Sequence, residues 1–481
     1  MITDNLYLRK SIKLNNYAQD YIHNSYDINP QQFRRDVFHS LTIIFLMIVA
    51  IRIGISSSII YFLIAAIAIR SPIWAIKALI LSYLFTSLTP AITNDFIPVE
   101  YRDGIINFGE GRNIIGRYLV LLGAAIGIMR FRKRTASFPV YLTGFTFFSL
   151  IIIFNSLLIS YEPMISIFKA SYLLTGIFLV LYSFHYMVDT EKFLSWIAAF
   201  FAVVILMGMP LVFSDQGYIV NGRGFQGILI HPQTIGVIAG ILAVFFLNLI
   251  LENRNLSRGV SLFIVLSLFS SLATLYLSQS RTGVLAFAFG MAFSFPKILL
   301  HQSTAFKAVI CILIVFIGAT LLIISDETIG NKIQTFILKG DADQIEVDVL
   351  WRLSRGDLIQ ASYLNYQKNP IFGTGFALPS NAQNLNIIRD PIFNIPVSAS
   401  VEKGFLATAI MEELGIIGCI AALIFLFSIL SWGQIKANAC GIGILTAALA
   451  SNIGEATLLS FGGLGTIIWV FIGLGLNLVS R

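Results

Sequence analysis

The sequence predicts an all-α fold: a polytopic membrane helix bundle of about 14 transmembrane helices (about 12 at the least) with one long, partly helical extracytoplasmic loop. Three observations predict it. The chain is 57% hydrophobic. Only 12% of it is charged, against about a quarter for a soluble domain. Apolar runs of about 20 residues, each long enough to cross a hydrocarbon core, recur along it, and the mean hydropathy is +0.82.

Residues 1–36 are polar, with Arg9, Lys10, Lys13, Arg34 and Arg35, and form an expected cytoplasmic segment. No small-residue cleavage site follows the first apolar run, so the first span is expected to serve as the targeting signal. Spans are expected at 37–53, 55–70, 72–88, 114–129, 138–160, 163–187 and 193–213, the amino-terminal membrane region. The first two are short and read alternatively as one hairpin kinked near Gly54. Core spans with arginine motifs follow within 214–325, at 230–251, 259–278, 282–300 and 305–325. The carboxy-terminal region, 404–481, holds spans at 404–430, 437–457 and 461–479.

Basic loops set the orientation. Arg130, Arg132, Lys133 and Arg134, then Arg254 and Arg258, Lys297 and Lys307, Lys436 and Arg481 all fall on one side. With the amino terminus inside, that side is cytoplasmic, and so is the carboxy terminus. The net charge of +7 is therefore mostly topology, and no patterned basic patch points to nucleic acid. Cys311, Cys419 and Cys440 lie in expected spans, so neither disulfides nor a thiolate metal site are expected. The five histidines show no metal-ligand spacing.

The outward segments are then 89–113, 214–229 and the long 326–403. The last is neither Gly/Ser-rich nor of low complexity, and an ordered loop of that length needs a reason. Residues 349–366 have helical apolar spacing, with Arg352, Arg355 and Asp357 on other faces, and predict an amphipathic surface helix. Asn369-Pro370 stops it, and Ile371-Phe372-Gly373-Thr374-Gly375 predicts a tight turn.

Ionisable groups within a membrane are functional suspects. Arg70 and Lys77 fall at the cytoplasmic end and are expected to snorkel. Arg117, Arg223, His231, Arg281, Glu402, Lys403, Glu412, Glu413 and Glu455 fall toward the outer end. A transporter more naturally places such groups at the midplane. Arg223 lies in Asn221-Gly222-Arg223-Gly224-Phe225-Gln226-Gly227, which leads through His231 and Pro232 into a helix. Arg281 lies in Ser278-Gln279-Ser280-Arg281-Thr282-Gly283, again at a helix start. A guanidinium beside free helix-terminal amides suits an anion, and two at one depth suit a diphosphate. Ser280, His231, Arg352, Arg355, Lys403 and Glu413 are further candidate diphosphate or glycan contacts. Each has a plainer reading as a lipid-facing cation, a solvated mouth residue or a structural ion pair. Glu412 and Glu413 lie inside a span and need a cation, for which an arginine is the expected partner.

In this order the stretches resemble the superfamily of O-antigen ligases and Wzy-type polysaccharide polymerases, over residues of about 220 to 430. The likeness rests on Arg223, Gly227 and Pro232, the Ser280-Arg281-Thr282-Gly283 turn, the long loop, the Asn369-to-Gly375 turn, and Glu413-Leu414-Gly415-Ile416-Ile417-Gly418. It implies a glycosyltransferase similar to fold-C-type enzymes, without metal or cofactor, that draws its glycan from an undecaprenyl diphosphate lipid. It implies that Arg223 and Arg281 hold the diphosphate. Ligases of the family carry a histidine before the helix that follows the long loop. No histidine occurs in 326–403, and the place reads Glu402-Lys403-Gly404, so Glu402 is the expected base and His231 a distant second. The departure favours a polymerase of the bacterial inner membrane over a ligase. The expected partners are the lipid-linked glycan donor, a glycan or lipid acceptor, membrane lipids and a chain-length regulator. A flippase or transporter is the reading from another class.

Overall fold

The structure, a computed structural model, describes residues 28–53, 57–88, 99–131, 138–186, 189–219, 224–252, 256–301, 356–380, 386–389, 396–399 and 403–478. Among the described residues ten helices come before the long loop: α1 Pro30–Arg52, α2 Ser57–Ala68, α3 Pro72–Ser87, α4 Val99–Arg130, α5 Val140–Leu158, α6 Pro163–Tyr186, α7 Thr190–Gly208, α8 Pro232–Glu252, α9 Arg258–Leu277 and α10 Arg281–His301. Within the loop lie α11 Asp357–Lys368 and the strands β1 Ile387–Arg389 and β2 Pro396–Ala399. After it come α12 Leu406–Lys436, α13 Ala439–Ala450 and α14 Leu464–Asn477.

Prolines and capping side chains place the helix starts. Asn29 Oδ1 accepts from the amides of Gln31 and Gln32 at 3.0 and 3.3 Å, just ahead of Pro30. Ser71 does the same for Trp74 at 3.3 Å, ahead of Pro72. Asn438 caps α13 through the Gly441 amide at 2.7 Å. Pro210 converts the end of α7 into a 3-10 turn over Met209–Phe213.

Five, α5 to α9, are, with α12, the six described helices long and apolar enough to span a membrane. Shorter apolar helices occupy Ser57–Ala68, Pro72–Ser87, Ala439–Ile453 and Leu464–Asn477. The span expected at 305–325 lies outside the described residues. One boundary differs from expectation. Helix α4 begins at Val99 rather than 114, because a polar helical extension carries no hydropathic signal. The expected loop helix over 349–366 is described as Asp357–Lys368, and the expected residues 349–355 lie outside the described set. The two-stranded antiparallel hairpin was not expected; it pairs Ile387 with Ala399 and Ile388 with Ser398. Helices α1 and α2 do not form one hairpin: α1 packs on α7, and α2 on α3 and α4.

Two helices form the interior posts. Nearly every side chain of α8 is buried, between α9, α10 and α13. Every residue from Gly465 to Leu476 of α14 is buried, among α3, α6, α12 and α13. Small residues let the backbones close in. A Cβ on Gly240 of α8 would collide with the Gly283 carbonyl of α10, and one on Gly283 with the Gly236 carbonyl. At the other end, Lys77 does not simply reach water. Its ammonium lies 4.9 and 4.7 Å from the ring centroids of Trp74 and Trp196.

Helix α12 is broken at Gly415, whose φ of 64° and ψ of −165° lie outside the helical region. The break removes the bonds from the Ile416 and Ile417 amides to the Glu412 and Glu413 carbonyls. Residues 370–375 replace them. The Ile416 and Ile417 amides donate to the carbonyls of Pro370 and Ile371 at 2.9 and 3.4 Å. The Thr374 and Gly375 amides donate to the carbonyls of Glu412 and Glu413 at 2.8 and 3.2 Å. Gly373 and Gly375, with φ of 76° and 127°, allow the turn to enter. Substituting Gly415 with alanine would force a left-handed φ, costing about 1–2 kcal/mol, and would drive a Cβ into the Ile371 carbonyl. We expect Gly415→Ala and Gly373→Ala each to lower the thermal midpoint of the purified protein markedly, with Gly259→Ala, a helical position whose Cβ meets nothing nearer than 3.7 Å, as the harmless control. A midpoint equal to wild type in both would show that the turn is not seated in the break.

Candidate functional site

The two arginine-bearing motifs meet. The Phe225 amide donates to the Leu277 carbonyl at 3.0 Å, which ties the segment before α8 to the end of α9. A Cβ on Gly224 would lie 3.0 Å from the Ser278 carbonyl and 2.9 Å from Pro232 Cβ. The same segment is held on its other side, where the Ile230 amide donates to the Ser87 carbonyl at 2.8 Å and the Gln226 amide to the Gly217 carbonyl at 2.8 Å. Gly227 makes the bend, with φ of 56°.

Arg281 opens α10 and is partly buried. Ser280, expected as a substrate contact, is 1% exposed and caps that helix: its Oγ accepts from the Gly283 amide at 3.2 Å. His231 is also committed locally. Its Nδ1 accepts from the Gln233 amide at 3.1 Å, which requires that nitrogen unprotonated and the proton, in the neutral ring, on Nε2. This ring is therefore poorly set up as a base. Arg223, Arg352, Arg355 and Glu402 themselves lie outside the described residues.

A second cluster surrounds the α12 break. Lys403 Nζ lies 2.7 Å from Glu412 Oε2 and 3.9 Å from Glu413 Oε1. Lys403 was expected at a solvated mouth, but it is 7% exposed, and Glu412 and Glu413 are 0% and 2% exposed. Their cation is this lysine rather than an arginine. Proximity in sequence explains it, since Lys403 precedes the helix that carries both carboxylates. Glu412 also accepts from Asn365 Nδ2 of α11 at 2.9 Å and from Ser380 Oγ at 3.1 Å. One carboxylate thus joins α11, the segment after the glycine turn, and the end of the long loop. Of the expected substrate contacts, Lys403 is hydrogen-bonded to Glu412, and Glu413 lies 3.9 Å from the lysine with its Oε2 buried and without a hydrogen-bond partner among the described residues.

Helices α5 and α6 hold the same loop. Lys169 Nζ donates to the Ala377 and Ala399 carbonyls at 3.0 and 2.7 Å, bridging the turn to β2. Ser166 Oγ donates to the Phe376 carbonyl at 2.6 Å. Asn155 Nδ2 donates to the Phe372 and Glu413 carbonyls at 2.6 and 3.0 Å. Asn155, Lys169 and Asn365 are not among the expected site residues. A signal existed for two of them: Asn155 and Lys169 are polar groups inside expected spans.

Among the described residues no group of three or more His, Cys, Asp or Glu side chains is placed to hold a metal ion. Chemically, the described residues offer a guanidinium at a helix start and, in a separate cluster, a long loop clamped by buried charges.

Residues 266–423 match the family model described as O-antigen ligase. The match bears out the resemblance to the O-antigen ligase and Wzy superfamily. It runs from within α9, through the Arg281 turn and the long loop, to beyond the Gly415 break. The Gly224-to-Pro232 element lies before it. No curated protein matches the chain. The match, together with several apolar helices long enough to span, points to a multi-pass membrane protein, and the matching family is one of glycan transfer in polysaccharide or lipopolysaccharide synthesis.

Removing one partner of a buried ion pair leaves an uncompensated charge, costing about 3–5 kcal/mol. We expect Lys403→Met to lower stability and yield sharply, and Lys403→Met with Glu412→Leu to recover much of the loss. Thermal melting of the three proteins checks this; a double variant no better than the single one would mean that the pair is not coupled.

Proposed function

We propose that this chain is a glycan polymerase of the bacterial inner membrane. It passes an oligosaccharide from a polyprenyl diphosphate to a hydroxyl of another lipid-linked repeat unit, on the outer face. The observation that supports this best is the junction of the two arginine motifs through Phe225 and Leu277, with Arg281 at the start of α10. Arg223 is covalently adjacent to Gly224, which packs on the Ser278 carbonyl, so both motifs serve one corner.

The chemistry follows. The bond between the anomeric carbon and the diphosphate oxygen breaks as an acceptor oxygen attacks that carbon. The acceptor proton goes to the Glu402 carboxylate. Negative charge grows on the departing diphosphate, and Arg223 and Arg281 stabilise it where it develops. The absence of histidine from 326–403 supports a polymerase, whereas the description of the matching family supports the second reading, a ligase with a lipid A core acceptor. The basic loops support cytoplasmic termini and an extracytoplasmic site.

Purified protein given only a lipid-diphosphate-linked repeat unit should yield a ladder of products. Product that appears only once lipid A core is added would replace this reading with the ligase. In cells, Arg281→Ala and Arg223→Ala should each lower chain extension by roughly 10²–10³-fold with expression intact, and Arg→Lys should rescue poorly. Normal long-chain glycan from either alanine variant would sink the diphosphate role. Glu402→Gln should slow transfer by about 10²–10⁴-fold if the carboxylate takes the proton, and a near-normal rate would reduce it to orienting the acceptor.

A further inference from the structure

Beside the break in α12 lies an apolar cavity of about 240 Å³. Its lining is Ile151, Phe154 and Asn155 of α5, Phe372 of the glycine turn, and Leu414 and Ile417 of α12. Both helices are long and apolar enough to span a membrane. Phe154 and Phe372 are 42% and 38% exposed, and their ring centroids lie 5.9 Å apart, so the cavity opens at the surface of the bundle. At such a surface the medium is hydrocarbon.

One lining side chain is polar. Asn155 is 2% exposed. Its Nδ2 donates to the Phe372 and Glu413 carbonyls, and because both are acceptors only the nitrogen of the amide can face them. Its Oδ1 is buried too and has no hydrogen-bond partner among the described residues. A purely structural role needs Nδ2 alone and leaves that acceptor desolvated for nothing.

The lining defines what would meet it. A buried water needs about two to four polar partners, and the other five lining side chains are apolar, so water fits poorly. No lining residue is charged. Lys169 and Lys403, the lysines of the neighbouring cluster, are spent on the Ala377 and Ala399 carbonyls and on Glu412. A phosphate would find no cation here. The complement is a neutral amphiphile, with hydrocarbon to fill the cavity and one hydroxyl to donate to Oδ1. Asn155 lies three residues from the Leu158 end of α5, about 4.5 Å along the axis, a depth at which the glycerol of a lipid sits.

We propose that this cavity binds diacylglycerol, the neutral membrane lipid with a single free hydroxyl. One acyl chain lies against Phe154, Phe372 and Ile417, and the hydroxyl donates to Asn155 Oδ1. Asn155 also holds the turn in the break, so the bound lipid braces the seat of the long loop.

The test reads binding and is independent of any transfer reaction. Full-length protein in phosphatidylcholine nanodiscs is irradiated with diacylglycerol that carries a diazirine on one acyl chain, and labelled peptides are mapped by mass spectrometry. The control probe is the same lipid with its hydroxyl methylated. Diacylglycerol should label 151–155 and 414–417 roughly two- to tenfold more than the methyl ether, the ratio that one net hydrogen bond supplies. Ile417→Trp should fill the cavity and abolish the difference. Unlabelled diacylglycerol should compete and phosphatidylglycerol should not. Equal labelling by the alcohol and the ether, labelling unchanged in Ile417→Trp, or equal competition by phosphatidylglycerol overturns the proposal. Should Ile417→Trp fail to fold, Ile151→Phe on the α5 wall decides in its place.

Discussion

The loop end of this protein depends on one constraint: a broken helix in an apolar layer must not leave its backbone groups unbonded. Each such group costs several kcal/mol where no water reaches it. Gly415 breaks α12 and sets free two amides and two carbonyls. The turn at 370–375 takes up all four, with Asn155 adding a second bond to the Glu413 carbonyl. The glycine turn therefore has one place to go. Once it is seated, residues 376–380 run past Ser166 and Lys169, and their carbonyls find those donors. The break acts as a socket that sets where the long loop leaves the bundle and where it returns.

The buried charges complete the same job. Glu412 occupies the last turn before the break, so its carboxylate points at the segments that the break has brought near. Asn365, Ser380 and Lys403 come from three separate stretches and meet on it. A buried ion pair is a weak source of net stability, because desolvation offsets most of the attraction. It does, however, penalise every alternative placement of the loop that would strand one charge. We read the cluster as a device for loop position, which suits a fold whose candidate base, Glu402, is the residue before Lys403.

The two halves of the loop end have different characters. Around α8 and α10 the packing is of glycine on glycine and glycine on serine, with Arg281 at a helix start. Around α5, α6, α11 and α12 it is polar and rigid, with side chains spent on backbone carbonyls. The family match spans the Arg281 turn and the break together. Ser280 and His231 serve the starts of α10 and α8, accepting from the Gly283 and Gln233 amides.

By itself the sequence determined the class of fold, most of the helices, the stop at Asn369-Pro370, the turn that follows and the two arginine motifs. These are local properties: apolar runs, proline and glycine positions, and short motifs are all legible one segment at a time. Tertiary structure alone decided that the turn enters α12, that Lys403 rather than an arginine neutralises Glu412, and that Lys169 and Asn155 hold the loop. Each of these depends on which distant segments share a buried space, as when Asn155 meets Glu413. The polar start of α4 and the 387–399 hairpin were hidden for a related reason. The first carries no apolar period, and the second is too short to show one.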